Sequence, residues 1–233
     1  MAKVYQATHV GKVRHNNEDS LIVIEPSTFV VADGMGGASA GEVASQMLVE
    51  TVKSFLSKSP APWDENILAQ AVLLANDKIL NLARRQEEYR GMGTTATILS
   101  LDGEQAYFAH VGDSRLYRLR GDAFEQLTAD HSYVETLVRR GELTPEQARV
   151  HPMKNVLIQA VGAIPELFID KDNFKVERGD IFLLCTDGLT NMVEDATIAE
   201  ILKTAQSPAD ALIRAALEAG GKDNVSVIVA GVD

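Results

Sequence analysis

The chain has 233 residues, 45% hydrophobic and 24% charged, with a formal net charge of −11. That length can bury a sizeable core, and the acidity excludes a general nucleic-acid binder, whose phosphate contacts need a basic face. One cysteine excludes an intrachain disulfide, no apolar run approaches the ~20 residues that span a bilayer, and the N-terminus lacks a signal-peptide pattern, so a cytoplasmic protein without membrane insertion is expected.

In chain order, Phe29-Val30-Val31-Ala32 reads as a short strand ending in a glycine-rich turn. Ser39-Ala40-Gly41-Glu42 resembles a capping box, and a helix over about 42–55 places Val43, Met47, Leu48, Thr51, Val52 and Phe55 on one face. After the Ser- and Pro-rich connection 57–62, a second helix over about 64–85 turns Ile67, Ala71, Leu74, Ala75, Ile79 and Leu82 inward and pairs antiparallel with the first. Strands follow at 94–101, 105–111, 115–120 and 124–127, joined by the turns Asp102-Gly103 and Arg120-Gly121-Asp122, which make hairpins and antiparallel sheet. Residues 130–151 are polar and helical, broken at Gly141-Glu142-Leu143-Thr144-Pro145-Glu146. Asp170-Lys171-Asp172 reads as a polar strand edge. A strand at 180–185, helices at about 195–205 and 208–219, and a final strand from Val225 complete the chain. Strand runs alternating with helix pairs predict an α+β layered fold with antiparallel sheets, not a Rossmann arrangement of single crossover helices.

Aspartates in glycine-rich turns at strand ends recur through this pattern. They are Asp33-Gly34-Met35-Gly36-Gly37, Gly112-Asp113-Ser114-Arg115, Thr186-Asp187-Gly188 and Gly221-Lys222-Asp223-Asn224. A strand end points a carboxylate out of a rigid sheet, and an adjoining glycine lets backbone and ligand approach closely. Carboxylates that converge are costly to hold together without a cation, so the set reads as a multi-metal site. Ligands made only of oxygen suit Mg²⁺ or Mn²⁺, whereas zinc would want histidines or thiolates.

Together with Arg14-His15-Asn16-Asn17-Glu18-Asp19, these motifs resemble, in order and spacing, the metal-dependent serine/threonine protein phosphatases of type 2C, in their compact bacterial branch. The resemblance runs through 11–19, 30–42, 91–95, 110–117, 131–162, 179–189 and 220–226, nearly the whole chain. It implies a four-layer α-β-β-α sandwich, two antiparallel sheets between helix pairs, forming a single catalytic domain over 1–233 with a helical flap at about 132–155. By the same resemblance Asp33 would bridge two tightly bound Mn²⁺ or Mg²⁺ ions, the Gly34 carbonyl would ligate one, and Asp187 and Asp223 would complete the other's shell. Glu18 and Asp19 match a pair acting through metal-bound waters, and Asp113 matches a residue that holds a weaker third ion with Asp187. Arg14 would grip two phosphate oxygens with its planar fork.

The implied reaction is hydrolysis of phosphoserine and phosphothreonine in proteins by a hydroxide bridging the metals, without a phosphoenzyme. Phosphorylated proteins are then the partners, including a bacterial Ser/Thr kinase that the enzyme opposes, and the enzyme acts as a monomer. Two departures bear on the leaving-group acid: Ala38 stands where bacterial relatives usually carry histidine, and Met35 where eukaryotic members do. His15, His110 and His151 are the alternatives for that proton, besides a metal-bound water.

The rivals fit less well. A cysteine phosphatase needs arginine six positions after its nucleophile, where Cys185 is followed by Asn191, and Cys185 reads as a small core residue. Phe174 occupies the Thr or Val position of the aspartyl-nucleophile signature that Asp170 and Asp172 mimic. A non-catalytic phosphoprotein-binding domain conflicts with the intact Asp33, Gly34, Asp187 and Asp223, and an anti-sigma-antagonist phosphatase of the sporulation and stress-response type is disfavoured by the flap-like segment.

Overall fold

The structure is a computed structural model that describes residues 3–36 and 40–233. Gly37, Ala38 and Ser39, and with them the capping-box expectation and the Ala38 departure, lie outside the described residues.

Two antiparallel sheets stack face to face. The first has the order β1-β11-β10-β7-β8, from β1 (Lys3–His9), β11 (Val225–Gly231), β10 (Ile181–Cys185), β7 (Arg115–Arg120) and β8 (Ala123–Gln126). The second has the order β2-β3-β5-β6-β9, from β2 (Asp19–Ile24), β3 (Thr28–Met35), β5 (Ala96–Asp102), β6 (Gln105–Val111) and β9 (Asp170–Lys175); the two-residue β4 (Gly93–Thr94) pairs with the end of β3. Helices α1 (Ala40–Leu56) and α2 (Glu65–Arg85) cover the second sheet, and α6 (Asp195–Thr204) with α7 (Pro208–Glu218) covers the first.

The period of two along each strand produces the layers. In β3, Val30 and Ala32 face α1 and α2 with Ile98, Leu48 and Val52, while Phe29 and Val31 turn to the other sheet. In β10, Phe182 and Leu184 meet them between the sheets, and Leu183 and Cys185 face α6 and α7 with Ile198 and Leu212. Strands buried on both faces read as continuous apolar runs, which is why β3 and β10 are legible in sequence. Polar β9 is an edge strand, as its composition predicts.

The predicted helices hold with shifts of a residue or two at their ends. Asp64 caps α2, its carboxylate accepting from the Asn66 and Ile67 backbone N–H groups at 3.0 and 2.8 Å. Leu74 is a correction: it is 38% exposed, and the buried arc of α2 runs through Leu68, Ala71, Val72, Ala75 and Ile79. The polar stretch after β8 carries two short helices, α3 (Tyr133–Arg139) and α4 (Pro145–Arg149), the second opened by a Thr144/Gln147 capping box. A single-turn α5 (Asp187–Thr190) follows β10.

Candidate active site

Antiparallel pairing brings the aspartate turns to one end of the sandwich. Cys185 lies opposite Val227 and His9 opposite Val225, so the end of β10, the end of β1 and the start of β11 meet there. In the second sheet, Asp19 pairs directly with Asp33, and Ala96 pairs with Val111, two residues before Asp113. Arg14, Glu18, Asp33, Gly34, Asp113, Asp187 and Asp223 accordingly line one cavity of about 210 Å³, with Met35, Thr95, Asn155, Leu157 and Asn224 among its other walls. Every predicted site residue except Asp19 is on that wall; Asp19 is buried behind it.

The close packing of this floor explains two glycines. A Cβ on Gly34 would lie 2.1 Å from the Gly41 carbonyl oxygen and 2.6 Å from that of Glu18, and one on Gly188 would lie 1.8 Å from that of Asn224. Only glycine permits these approaches.

Asp19 is buried and Asp33, Asp113, Asp187 and Asp223 are half-buried, and they oppose one another's ionisation. Burial, then Asp19 and Asp187, pushes Asp33 well above the usual carboxylate range. Burial and Asp187 do the same to Asp113. Asp187 is raised to about 6 by burial and Asp223, and Asp19 to about 7, mainly by burial. Positive charge is scarce at this floor: Arg14 Nη2 donates to Asp223 Oδ2 at 2.8 Å, whereas Asp187 Oδ2 accepts from the neutral Asn191 Nδ2 at 2.9 Å. Asp19 Oδ2 accepts from Thr186 Oγ1 at 2.9 Å, while its Oδ1 is buried without a hydrogen-bond partner. An orphaned carboxylate oxygen and an oxygen-only set of donors short of positive charge fit a hard divalent cation. Among the described residues no three His, Cys, Asp or Glu side chains form a ready cage.

A second layer of residues fixes the first, and the sequence reading assigned it no role. Asn224 Oδ1 accepts from the Glu18 backbone N–H at 2.8 Å, while its Nδ2 donates to the Val10 and Asn16 carbonyls at 2.8 and 2.9 Å, pinning the loop that carries Arg14. Thr95 Oγ1 accepts from Asp33 N–H at 2.8 Å, and Ser45 Oγ donates to the Glu18 carbonyl at 2.6 Å. A polar residue beside each motif was the only sequence signal for them.

The histidine alternatives do not reach the site. None of His15, His110 and His151 lines the cavity. His110 is fully buried beside Thr97 Oγ1 at 3.0 Å, and burial lowers its pKa to about 3, which removes it as a proton donor near neutrality. Cys185 is buried, with its thiol pushed up to about 12 by burial, the state of an inert core residue.

Carboxylates gathered with an arginine at one end of a two-sheet sandwich are the arrangement expected of a phosphate-ester hydrolase, and comparison with known proteins narrows the class. Residues 9–220 match the protein phosphatase 2C family. The serine/threonine phosphatase stp of Listeria innocua is 39% identical over 95% of this chain and 92% of its own length. Among solved structures, the serine/threonine phosphatase PstP/Ppp of Mycobacterium tuberculosis superposes with a TM-score of 0.92 at 36% identity, covering 100% of this chain and 99% of that one. A second structure, the PstP catalytic domain in complex with two manganese ions, gives 0.91 at 36% identity with the same coverage. The chain belongs to the protein phosphatase 2C family and is a serine/threonine protein phosphatase.

Proposed function

We propose that this enzyme hydrolyses phosphoserine and phosphothreonine in proteins at the carboxylate-lined cavity, using two divalent cations, Mn²⁺ or Mg²⁺, and a weaker third. The observation that carries the reading is the convergence of Asp33, Asp113, Asp187 and Asp223 on one cavity with Arg14 in its wall. Manganese is favoured by the two ions in the PstP structure, a relative at 36% identity. Asp33, the Gly34 carbonyl, Asp187 and Asp223 would hold the tight pair, Glu18 and Asp19 would act through waters, and Asp113 with Asp187 would hold the third ion. Bound there, divalent cations neutralise the carboxylates and supply Lewis-acid chemistry, acidifying water for attack on phosphorus and offsetting the charge that develops on the phosphoryl oxygens.

The chain's own residues do the rest. Arg14 fixes the phosphate through two parallel N–H donors, exchanging Asp223 for phosphate oxygens. Asn224, Thr95 and Ser45 hold Glu18, Asp33 and the Arg14 loop against displacement, which matters because small misplacements of a reacting group are expensive. Cys185 takes no part, and the absence of a histidine from the cavity wall favours water as the source of the leaving-group proton.

Residues 132–155, with α3 and α4, are read as a flap over the site that selects protein substrates, within a single catalytic domain. Asn155 reaches the cavity wall, and Arg149 ties the segment to Glu194. Among the described residues no helix is long and apolar enough to cross a membrane, and the enzyme is read as a cytoplasmic monomer that reverses a bacterial Ser/Thr kinase. Phosphate release from a phosphothreonine peptide tests the core of the reading. Release with Mn²⁺ that stops on adding chelator supports it, and chelator-resistant release or none sinks it.

A further inference from the structure

Ten large apolar side chains are exposed among the described residues, and six of them fall between Tyr133 and Phe168. Isolated exposed apolar residues are ordinary, but a concentration of them marks an interaction surface. The backbone shows why they gather. Residues 131–133 and 156–158 form a short antiparallel bridge, with Tyr133 N–H donating to the Val156 carbonyl at 2.8 Å, Ile158 N–H donating to the His131 carbonyl at 2.9 Å, and Ser132 opposite Leu157. Side chains alternate across such a pair. Leu157 lines the catalytic cavity, and Ser132 lines a larger cavity of about 540 Å³ that shares Asp113, Asn155 and Asp187 with it. Val156 and Ile158, which flank Leu157, therefore turn to the opposite face, and Tyr133, at the start of α3 with its ring 6.4 Å from that of His151, is exposed beside them. Phe168 extends that face, its ring 5.8 Å from His131, and Met153 continues it at the other end, its carbonyl accepting from Val156 N–H at 3.1 Å. Val156, Ile158 and Phe168 are 41%, 49% and 60% exposed.

Resting on the phosphatase reading above, we propose that this strip binds apolar side chains of the phosphoprotein substrate, three to five positions from the phosphorylated residue. The spacing follows from the wall itself. A strand with its side chains is about 10 Å thick, and extended chain advances about 3.3 Å per residue, so three residues carry a substrate from the cavity over the wall to its outer face. The occupant is the substrate because the strip and the cavity are two faces of one segment. A second copy seated on the strip would crowd the mouth that a protein substrate must reach.

The test compares two phosphothreonine peptides that differ only in carrying Ile, Val and Phe or Ser at the third to fifth positions on either side. Para-nitrophenyl phosphate, which touches only the cavity, serves as the reference, and all assays contain Mn²⁺. The wild-type enzyme is expected to show at least tenfold higher kcat/KM for the apolar peptide. Val156→Asp/Ile158→Asp and, independently, Phe168→Ser should reduce that preference to below threefold and leave para-nitrophenyl phosphate turnover within twofold. Equal kcat/KM for the two peptides in an enzyme that turns over para-nitrophenyl phosphate would overturn the strip while sparing the phosphatase reading. A preference retained in both variants would do the same, as would loss in the variants of a concentration-dependent dimer with the preference unchanged, which assigns the strip to self-association. An enzyme inert toward all three substrates would overturn the phosphatase reading and the strip with it.

Discussion

Asp19 and Asp187 have folded-state pKa values of about 7 and 6, above the ordinary carboxylate value near 4. A raised carboxyl pKa contributes stability that is fully present below the unfolded value and is lost as pH rises through the folded one. Unfolding by urea in chelator should therefore show the carboxylate cluster costing stability between about pH 4 and pH 8, and Mn²⁺ should remove that slope by neutralising the charge. Asp187→Asn removes one of the opposed charges, so in chelator its Tm should equal or exceed the wild type's by a few degrees, about the shift that ~1 kcal/mol produces in a chain of this size. Its phosphatase activity should nonetheless fall by at least ~100-fold, and that of Asp223→Asn should fall equally; activity within a few-fold of wild type in both would remove them from the ligand set. Arg14→Ala should raise KM more than it lowers kcat in steady-state assays, because a phosphate clamp acts on ground and transition states alike. Asp33, Asp113, Asp187 and Asp223 were legible because each stands near a strand end and a glycine. Asn224 and Thr186 were not, since their roles come from contacts with Val10 and Asp19, 214 and 167 residues away in sequence. Likewise His110 looks like any motif histidine until its burial is known.

Among the elements, the meeting of α5 with β11 is the tightest joint in the site. Gly188→Ala would drive a Cβ into the Asn224 carbonyl, 1.8 Å away, and a backbone atom cannot step aside as a flexible side chain can. Overpacking of this kind costs about 1–3 kcal/mol or more, so the midpoint of urea unfolding should drop, and activity with it, because Asp187 and Asp223 sit on the two sides of the joint. An unchanged midpoint would mean that the two elements do not meet so closely. Elements with continuous apolar runs or a clear helical face were predictable from the chain: β3, β5, β6, β10, α1, α6 and α7 all hold. β1 and β2 were not anticipated. Both are edge strands, and in β1 only Tyr5 and Ala7 turn partly inward between exposed Val4, Gln6 and Thr8, too few apolar positions to stand out in the chain. Leu74 was misplaced because α2 offers more apolar residues than one face can bury; which arc turns inward is decided by α1 and the sheet.

For the molecule as a whole, the two sheets act as a rigid frame whose strand ends deliver acidic side chains to one pole. Layering followed from the alternation of strand runs and helix pairs, but the stacking of two sheets, with Phe29, Phe182 and Ile228 between them, depends on which strands pair, and β11 joins β1 across the length of the chain. If this pole is a divalent-metal centre organised by Asp33, calorimetric titration of Mn²⁺ into the metal-free protein will show it. Two tight equivalents are expected for the wild type, both retained in Asp113→Ala and both lost in Asp33→Asn. A wild-type protein that takes up no Mn²⁺, or an Asp33→Asn protein that binds it as the wild type does, would contradict the assignment.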